Sequence, residues 1–185
     1  SGQPVQDLQA ADFTLEGALA DVATITDVQN ITNDELPISA VLVIDTSSSM
    51  SGQPILAAQD AARAFVNSLR DGDSVAIVQF DSSVSLVQDY TTNRDGLLQA
   101  IDTLRFGGQT ALYEASAFSV EVASNAPNPR RSVILLSDGA DFGGVSDNAR
   151  GDALEQARAE GVAVYTIGIG FGTDRTYLND LSEGT

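Results

Sequence analysis

Short apolar runs alternate with amphipathic stretches from about residue 38 onward. Apolar runs of this length between polar turns are typical of strands buried in a parallel sheet. They occur at 40–45, 74–80, 132–137 and 162–169. A further run at 84–89 follows the sequence "DSS", which is typical of a turn, and predicts an edge strand of a hairpin. Within the buried runs, the residues expected in central strands are Ile44, Val78, Leu135 and Ile167.

The stretches between these runs have the periodicity of amphipathic helices. In the first stretch Pro54 suits an early helical position, and apolar residues recur from Ile55 to Leu69 at helical spacing. Helices are predicted at 54–69, 94–104, 110–124 and 150–160. Because strands alternate with helices, the pattern predicts an α/β fold with an open, doubly wound sheet covered by helices on both faces.

Residues 1–36 have a different pattern from the rest of the chain. The stretch "FTLEGALADVATITDVQNIT" is rich in Thr and Val, alternates loosely and has no helical stripe. It predicts a β-rich N-terminal segment, and the polar residues 33–35 with Pro37 mark its boundary. The expected organisation is therefore a segment at 1–36 and one α/β domain at 37–185.

The net charge of the chain limits the kinds of molecule that it can bind. The chain has 26 acidic and 9 basic residues, and all the basic residues are Arg. A net charge of −17 opposes binding to nucleic acid or to an anionic membrane surface and favours cations. Because no apolar run reaches the length of about 18 residues that a membrane span needs, no membrane insertion is expected either.

The absence of Cys and His limits which metal sites and which kinds of catalysis the sequence can support. Disulfides, zinc sites built on thiolate or imidazole, and acid–base catalysis by His are all excluded within this sequence. Any metal that the chain binds must therefore be a hard cation held by oxygen ligands.

Oxygen-bearing side chains cluster in three predicted loops. Asp45, Ser47 and Ser49 follow the first buried strand, residues 107–110 precede a helix, and residues 137–139 end a later strand. In open α/β sheets, ligands bind outside the carboxyl ends of the strands, near the point where the strand order reverses. Together the three loops predict an octahedral cation site made only of oxygen ligands, with one position open to a carboxylate of a partner.

Each loop also has an ordinary structural explanation. Asp45, Ser47 and Ser49 could form an N-cap cluster ahead of Pro54, and Thr110 could cap the next helix. Residues 137–139 have the composition of a common turn. The conjunction of three such loops at strand ends that one sheet can bring together favours the cation site.

Four separated motifs resemble one known family in order along the chain. "VLVIDTSSSM", "GGQTALYEA", "ILLSDGAD" and "VYTIGIG" are similar to motifs of the von Willebrand factor type A (VWA) domain with a complete metal-ion-dependent adhesion site (MIDAS). The resemblance covers about residues 38–182 and implies a Rossmann-like, mostly parallel sheet with one antiparallel edge strand, flanked by helices. The metal residues that it implies are Asp45, Ser47, Ser49, Thr110 and Asp138. It also implies Mg²⁺ as the usual ion, with Mn²⁺ or Ca²⁺ as alternatives, and an acidic residue of a partner as the sixth ligand.

The sequence departs from the family pattern in three places. Gln109 stands where the family often has Thr or Gly, at a position that is not a ligand. The family continues past "LSEGT" with an edge strand and a long C-terminal helix, so 37–185 is predicted as a VWA domain without these last elements. At the other end, "GQPVQDLQAADFTLEG" resembles the last part of a β-rich segment that precedes such domains in some bacterial proteins.

The sequence is compatible with three classes of function. The favoured one is a metal-dependent interaction or adhesion module, secreted or on a bacterial surface, that binds an Asp or Glu carboxylate of a protein partner. The alternative is an intracellular accessory domain that docks a chelatase or AAA-ATPase-type assembly. An enzyme is not expected, because an aspartyl phosphotransfer loop usually needs a second acid where Ser47 stands, together with a basic partner, and Lys and His are absent.

Overall fold

The computed structural model describes residues 8–17, 22–26, 28, 36–170 and 172–185. By its internal contacts the chain divides into two units, residues 1–36 and 37–185. Among the described residues of the first unit, Ala10–Asp12 form a 3-10 turn and none forms a strand. The rest of the predicted β-rich segment lies outside the described residues.

The second unit contains a twisted sheet of mostly parallel strands. In the described residues these strands are β1 (Ile38–Asp45), β2 (Ser74–Phe80), β3 (Val84–Thr91), β4 (Arg130–Ser137) and β5 (Ala163–Gly168). Their order is β3-β2-β1-β4-β5, and all neighbours are parallel except the antiparallel pair β2–β3. The predicted fold class, a doubly wound and mostly parallel sheet with one antiparallel edge strand, is confirmed.

Helices cover both faces of this sheet. They are α1 (Gln53–Ser68), α2 (Arg94–Thr103), α3 (Leu112–Ser124), α4 (Asp152–Glu160) and α5 (Arg175–Gly184). One apolar cluster joins the sheet to α1 and α2, and the other joins it to α3, α4 and α5. Among the described residues, no helix combines the length and the apolar character that a membrane span requires.

The strand β1 contributes to both clusters because alternate side chains point to opposite faces. Val41 and Val43 pack toward α3, whereas Leu42 and Ile44 pack toward α1. This double burial is why β1 is a nearly continuous apolar run.

The expectation that Ile167 lies in a central strand is wrong. Ile44, Val78 and Leu135 are fully buried, but Ile167 is 44% exposed. The reason is that β5 stands at the edge of the described sheet and pairs with β4 alone.

The strand order places one reversal at the centre of the sheet. From β1 the chain adds β2 on one side and later adds β4 on the other. The carboxyl ends of β1 and β4, at Asp45 and Ser137, therefore flank the switch point where doubly wound sheets bind ligands.

The start of α5 is held by a charged cap. One carboxylate oxygen of Asp174 accepts a hydrogen bond from the backbone N–H of Tyr177 at 3.0 Å, and the other lies 2.6 Å from an Arg150 guanidinium nitrogen. Burial alone would raise the pKa of Asp174, but the hydrogen bonds from Arg150 and from the backbone outweigh it and lower this pKa below its ordinary value.

A pH dependence of stability follows from this lowered pKa. The contribution of Asp174 is fully present above the unfolded-state pKa of about 3.9 and is lost as the pH falls through the lower folded-state value. We expect Asp174→Asn, which keeps a capping acceptor, to reduce the free energy of unfolding at neutral pH by up to about 1 kcal/mol. Denaturant titrations at several acidic pH values should also show that the free energy of unfolding falls less steeply in the variant than in the wild type as the pH drops from about 3.9 through the lower folded-state pKa. Asp180→Asn is the control, since Asp180 is 3.4 Å from Arg150 and mostly exposed; equal behaviour of the two variants would refute the assignment.

Candidate metal centre

Asp45 ends β1 with both carboxylate oxygens engaged. The backbone N–H of Ser47 donates to Asp45 Oδ1 at 2.9 Å, and the Ser137 hydroxyl donates to Asp45 Oδ2 at 2.6 Å. All three residues are buried. The orientation of this carboxylate at the strand end is therefore fixed by the loop after β1 and by the end of β4.

A line of oxygens connects the loop after β1 to the loop after β4. The hydroxyl oxygens of Ser47 and Ser49 are 3.0 Å apart. The Ser49 hydroxyl then donates to Asp138 Oδ1 at 2.7 Å. The structure thus brings Ser47, Ser49 and Asp138 together, with Asp45 hydrogen-bonded to Ser47 beneath them.

The N-cap alternative for these serines does not agree with the structure. Ser47 precedes a 3-10 turn, Ser48–Met50, but its side chain makes no capping hydrogen bond. The helix α1 begins at Gln53 after Gly52, again without a side-chain cap. Instead, the Ser47 hydroxyl contacts that of Ser49, which donates to Asp138.

Thr110 reaches the same place from a third loop. The N-cap position of α3 is Ala111, so Thr110 is not the cap of that helix. Its hydroxyl oxygen lies against the backbone of Gly139, where an added Cβ would be 3.8 Å away. Thr110, Ser49 and Asp138 line one cleft of about 450 Å³.

The loop that carries Thr110 is fixed by the turn between β2 and β3. The Ser82 hydroxyl accepts from the backbone N–H of Gln109 at 2.8 Å, and the Asp81 carbonyl accepts from the N–H of Ala111 at 2.8 Å. Gly108, with φ of 75°, passes so close that a Cβ would lie 2.6 Å from the Ser82 hydroxyl. Only glycine fits there without displacing the turn.

The electrostatics of the cleft favour a cation. Burial raises the pKa of Asp45, hydrogen bonds from Ser137 and Ser47 lower it in part, and the charge of Asp138 raises it again. None of the described residues that line the cleft is basic. A divalent cation would neutralise the two carboxylates and favour the ionised form of Asp45.

The spacing of the oxygens also fits a small hard cation. Adjacent oxygens around an octahedral Mg²⁺ with bonds of 2.0–2.1 Å lie about 2.9 Å apart. The Ser47–Ser49 and Ser49–Asp138 separations of 3.0 and 2.7 Å bracket that value. They are also ordinary O–H···O hydrogen-bond lengths, and a bound ion would replace these hydrogen bonds.

A metal held at this cleft would take much of its coordination from hydroxyl groups. Across the described part of the chain, no three His, Cys, Asp or Glu residues cluster in a way that could hold a metal. The predicted donor set has two carboxylates, with Ser or Thr at the other three positions, and it stays a prediction.

Two residues at the candidate metal centre or in the wall of its cleft are not predicted from the sequence. Ser137 falls within a predicted loop, but nothing in the sequence singles it out as the buried hydrogen-bond partner of Asp45. Phe142 lines the cleft and is 69% exposed. An aromatic residue shortly after the "SDG" turn was the available signal for Phe142.

A family model described as the von Willebrand factor type A domain matches residues 40–185. An uncharacterized protein of Synechocystis sp. is 31% identical over 139 residues, which cover 73% of this chain and 33% of that protein. A UPF0353 protein of Mycobacterium avium is 30% identical over 158 residues, covering 76% of this chain and 47% of that protein. The chain thus spans a third to a half of the length of these relatives.

Solved structures share the fold. A von Willebrand factor type A protein from Catenulispora acidiphila superposes with a TM-score of 0.70 at 21% identity, covering 80% of this chain and 37% of that one. Proximal thread matrix protein 1 from the mussel byssus, with a zinc-occupied MIDAS motif, superposes with a TM-score of 0.68 at 24% identity, covering 80% and 41%.

Proposed function

The chain belongs to the von Willebrand factor type A family, and on that premise we propose that it is a protein–protein interaction module that binds an acidic residue of its partner through a divalent cation at the candidate metal centre. The proposed role is binding without catalysis. We propose Mg²⁺ as the ion, with Mn²⁺ or Ca²⁺ as substitutes.

The observation that carries this proposal is the line of oxygens from Ser47 through Ser49 to Asp138. It joins two loops that are far apart in the sequence and leaves Thr110, from a third loop, on the wall of the same cleft. Neutral hydroxyls donate lone pairs without cancelling the charge of the ion, so a bound cation keeps positive charge to attract a carboxylate.

The five residues have different roles in the proposal. Asp45 and Asp138 supply the formal charge that retains the ion, directly or through water. Ser47 and Ser49 supply hydroxyl oxygens from one short loop. Thr110, held in place by the turn between β2 and β3, borders the position where the partner's carboxylate binds.

A substitution at Thr110 separates holding the ion from holding a partner. We expect Thr110→Ala to weaken carboxylate binding more than Mg²⁺ binding, because water can fill the position of one neutral oxygen. Calorimetric titrations with MgCl₂ and with a blocked acidic peptide, on both proteins, measure the two affinities. Thr103→Ala is the matched control, since its hydroxyl bonds within α2. If the two affinities fall by the same factor, Thr110 has no separate role in binding a partner.

We propose that the module acts on or outside a bacterial cell. The resemblance of the N-terminal segment to segments that precede such domains supports this location. Fractionation of the source cells, with detection by antibody, tests it: recovery in the surface or secreted fraction is the expected result. Recovery with a cytoplasmic ATPase assembly would favour the accessory-domain alternative instead.

A further inference from the structure

An aromatic side chain is held in solvent beside the candidate metal centre. The backbone N–H of Phe142 donates to the Thr110 carbonyl at 2.9 Å, and the two residues form an isolated antiparallel bridge. The preceding residue, Asp141, accepts from the N–H of Tyr113 at 3.1 Å and from the Ser146 hydroxyl. The backbone of Phe142 is therefore held through its own N–H and through the preceding residue, while Phe142 remains 69% exposed.

The segment that follows Phe142 is also constrained. Gly143 has φ of 89°, and a Cβ there would collide with the side chain of Gln109. The backbone of Phe142 is thus bonded to the Thr110 loop through its N–H, and the next residue, Gly143, passes close to the Gln109 side chain of the same loop. A backbone that is already ordered lowers the conformational entropy cost of binding when a partner packs against the ring.

A single exposed phenylalanine is ordinary, and Phe106 shows this. The side chain of Phe106 is 54% exposed but does not line the cleft. Phe142 differs because it lines the cleft together with Ser49, Thr110 and Asp138. An apolar wall and a set of oxygen ligands therefore share one cavity.

Charge narrows the chemistry of a partner at this cleft. The chain carries a net charge of −17, and the described lining of the cleft contains the acidic residue Asp138 and no basic residue. A partner's carboxylate would be attracted here by the cation alone. Further acidic groups on the partner would be repelled, whereas a neighbouring apolar side chain would contact Phe142.

We propose that Phe142 determines partner specificity, and that the partner presents a single acidic residue directly next to an aromatic or large aliphatic one in an exposed segment. This inference rests on the proposed function and names the class of partner for the same site. The acidic residue binds at the cation, and the apolar neighbour packs on the ring of Phe142.

Two blocked peptides, Gly-Glu-Gly and Gly-Glu-Phe, test the inference by calorimetry on the Mg²⁺-loaded protein. For the wild type we expect the Phe-containing peptide to bind about 2- to 10-fold more tightly, the range for an aromatic pair. Phe142→Ala should bring the two peptide affinities together, and a titration of this variant with MgCl₂ checks that it still holds the ion. Phe106→Ala should keep the wild-type difference.

The outcomes distinguish the two proposals. Equal affinities for both peptides in the wild type, or a difference that survives Phe142→Ala, would overturn this inference and leave metal-dependent carboxylate binding intact. Failure of both peptides to bind the loaded wild-type protein would overturn the proposed function and this inference with it.

Discussion

Replacing Asp45 with Ala will abolish the rise in melting temperature that Mg²⁺ produces in the wild-type protein. An ion that binds only the folded site stabilises it by about 1.4 kcal/mol at tenfold excess over its dissociation constant. For a domain of this size that corresponds to a rise of roughly 3–6 °C. Asp45 is fully buried beneath Ser47, so its loss removes formal charge that no surface side chain can replace.

A second variant and a matched control separate ion binding from stability. Asp45→Asn keeps an acceptor for the N–H of Ser47 but lacks the charge, and it should also lose the response. Asp73 is buried too, and it accepts from the N–H groups of Ile38 and Arg70 at the opposite end of the strands. Asp73→Asn should therefore lower the melting temperature and retain the rise with Mg²⁺. If thermal unfolding of Asp45→Asn shows the same rise in melting temperature with Mg²⁺ as the wild type, Asp45 does not take part in holding the ion.

Truncating Leu135 to Ala should lower the free energy of unfolding by roughly 2–5 kcal/mol. Leu135 is fully buried at the centre of β4, between Val43 of β1 and Thr166 of β5. The substitution removes apolar contacts and leaves a cavity that the surrounding sheet and helices cannot fill. Denaturant titration of both proteins gives the difference.

The control for this truncation is another leucine in the same unit. Leu56 lies on α1 and is 50% exposed, so Leu56→Ala should change stability by less than about 0.5 kcal/mol. If Leu135→Ala leaves the free energy of unfolding almost unchanged, the packing around β4 does not stabilise the domain as the structure indicates.

Local patterns predicted the central strands well because burial on both faces leaves a signal in the sequence. β1 is buried from Ser39 to Asp45, and its apolar run shows this directly. The exposure of Ile167 could not be predicted the same way, because an edge position depends on which strands pair across the sheet. That order is set by contacts between residues far apart in the chain.

The sequence pattern does not predict the helix α5, because its run of apolar residues at helical spacing is short. Its buried residues are Tyr177, Leu178 and Leu181, in a segment of ten residues that is otherwise polar. Asp174 was the available signal, since an aspartate three residues before Tyr177 is a typical N-cap.

The candidate metal centre could be predicted in part. The three loops were identifiable because each follows a strand or precedes a helix, and oxygen-bearing residues concentrate in them. The contact between Asp45 and Ser137 was not predictable, because it depends on the register of β1 and β4. In that register Ile44 pairs with Leu136, which places the next residues, Asp45 and Ser137, side by side.

The most direct test of the central claim is a calorimetric titration of a blocked acidic peptide into the wild-type protein, first with excess Mg²⁺ and then with the Mg²⁺ removed by a chelator. The account predicts saturable binding with Mg²⁺, no binding after chelation, and no binding to Asp45→Asn under either condition. Binding that is unchanged by the chelator, or no binding to protein already shown to hold Mg²⁺, would contradict it.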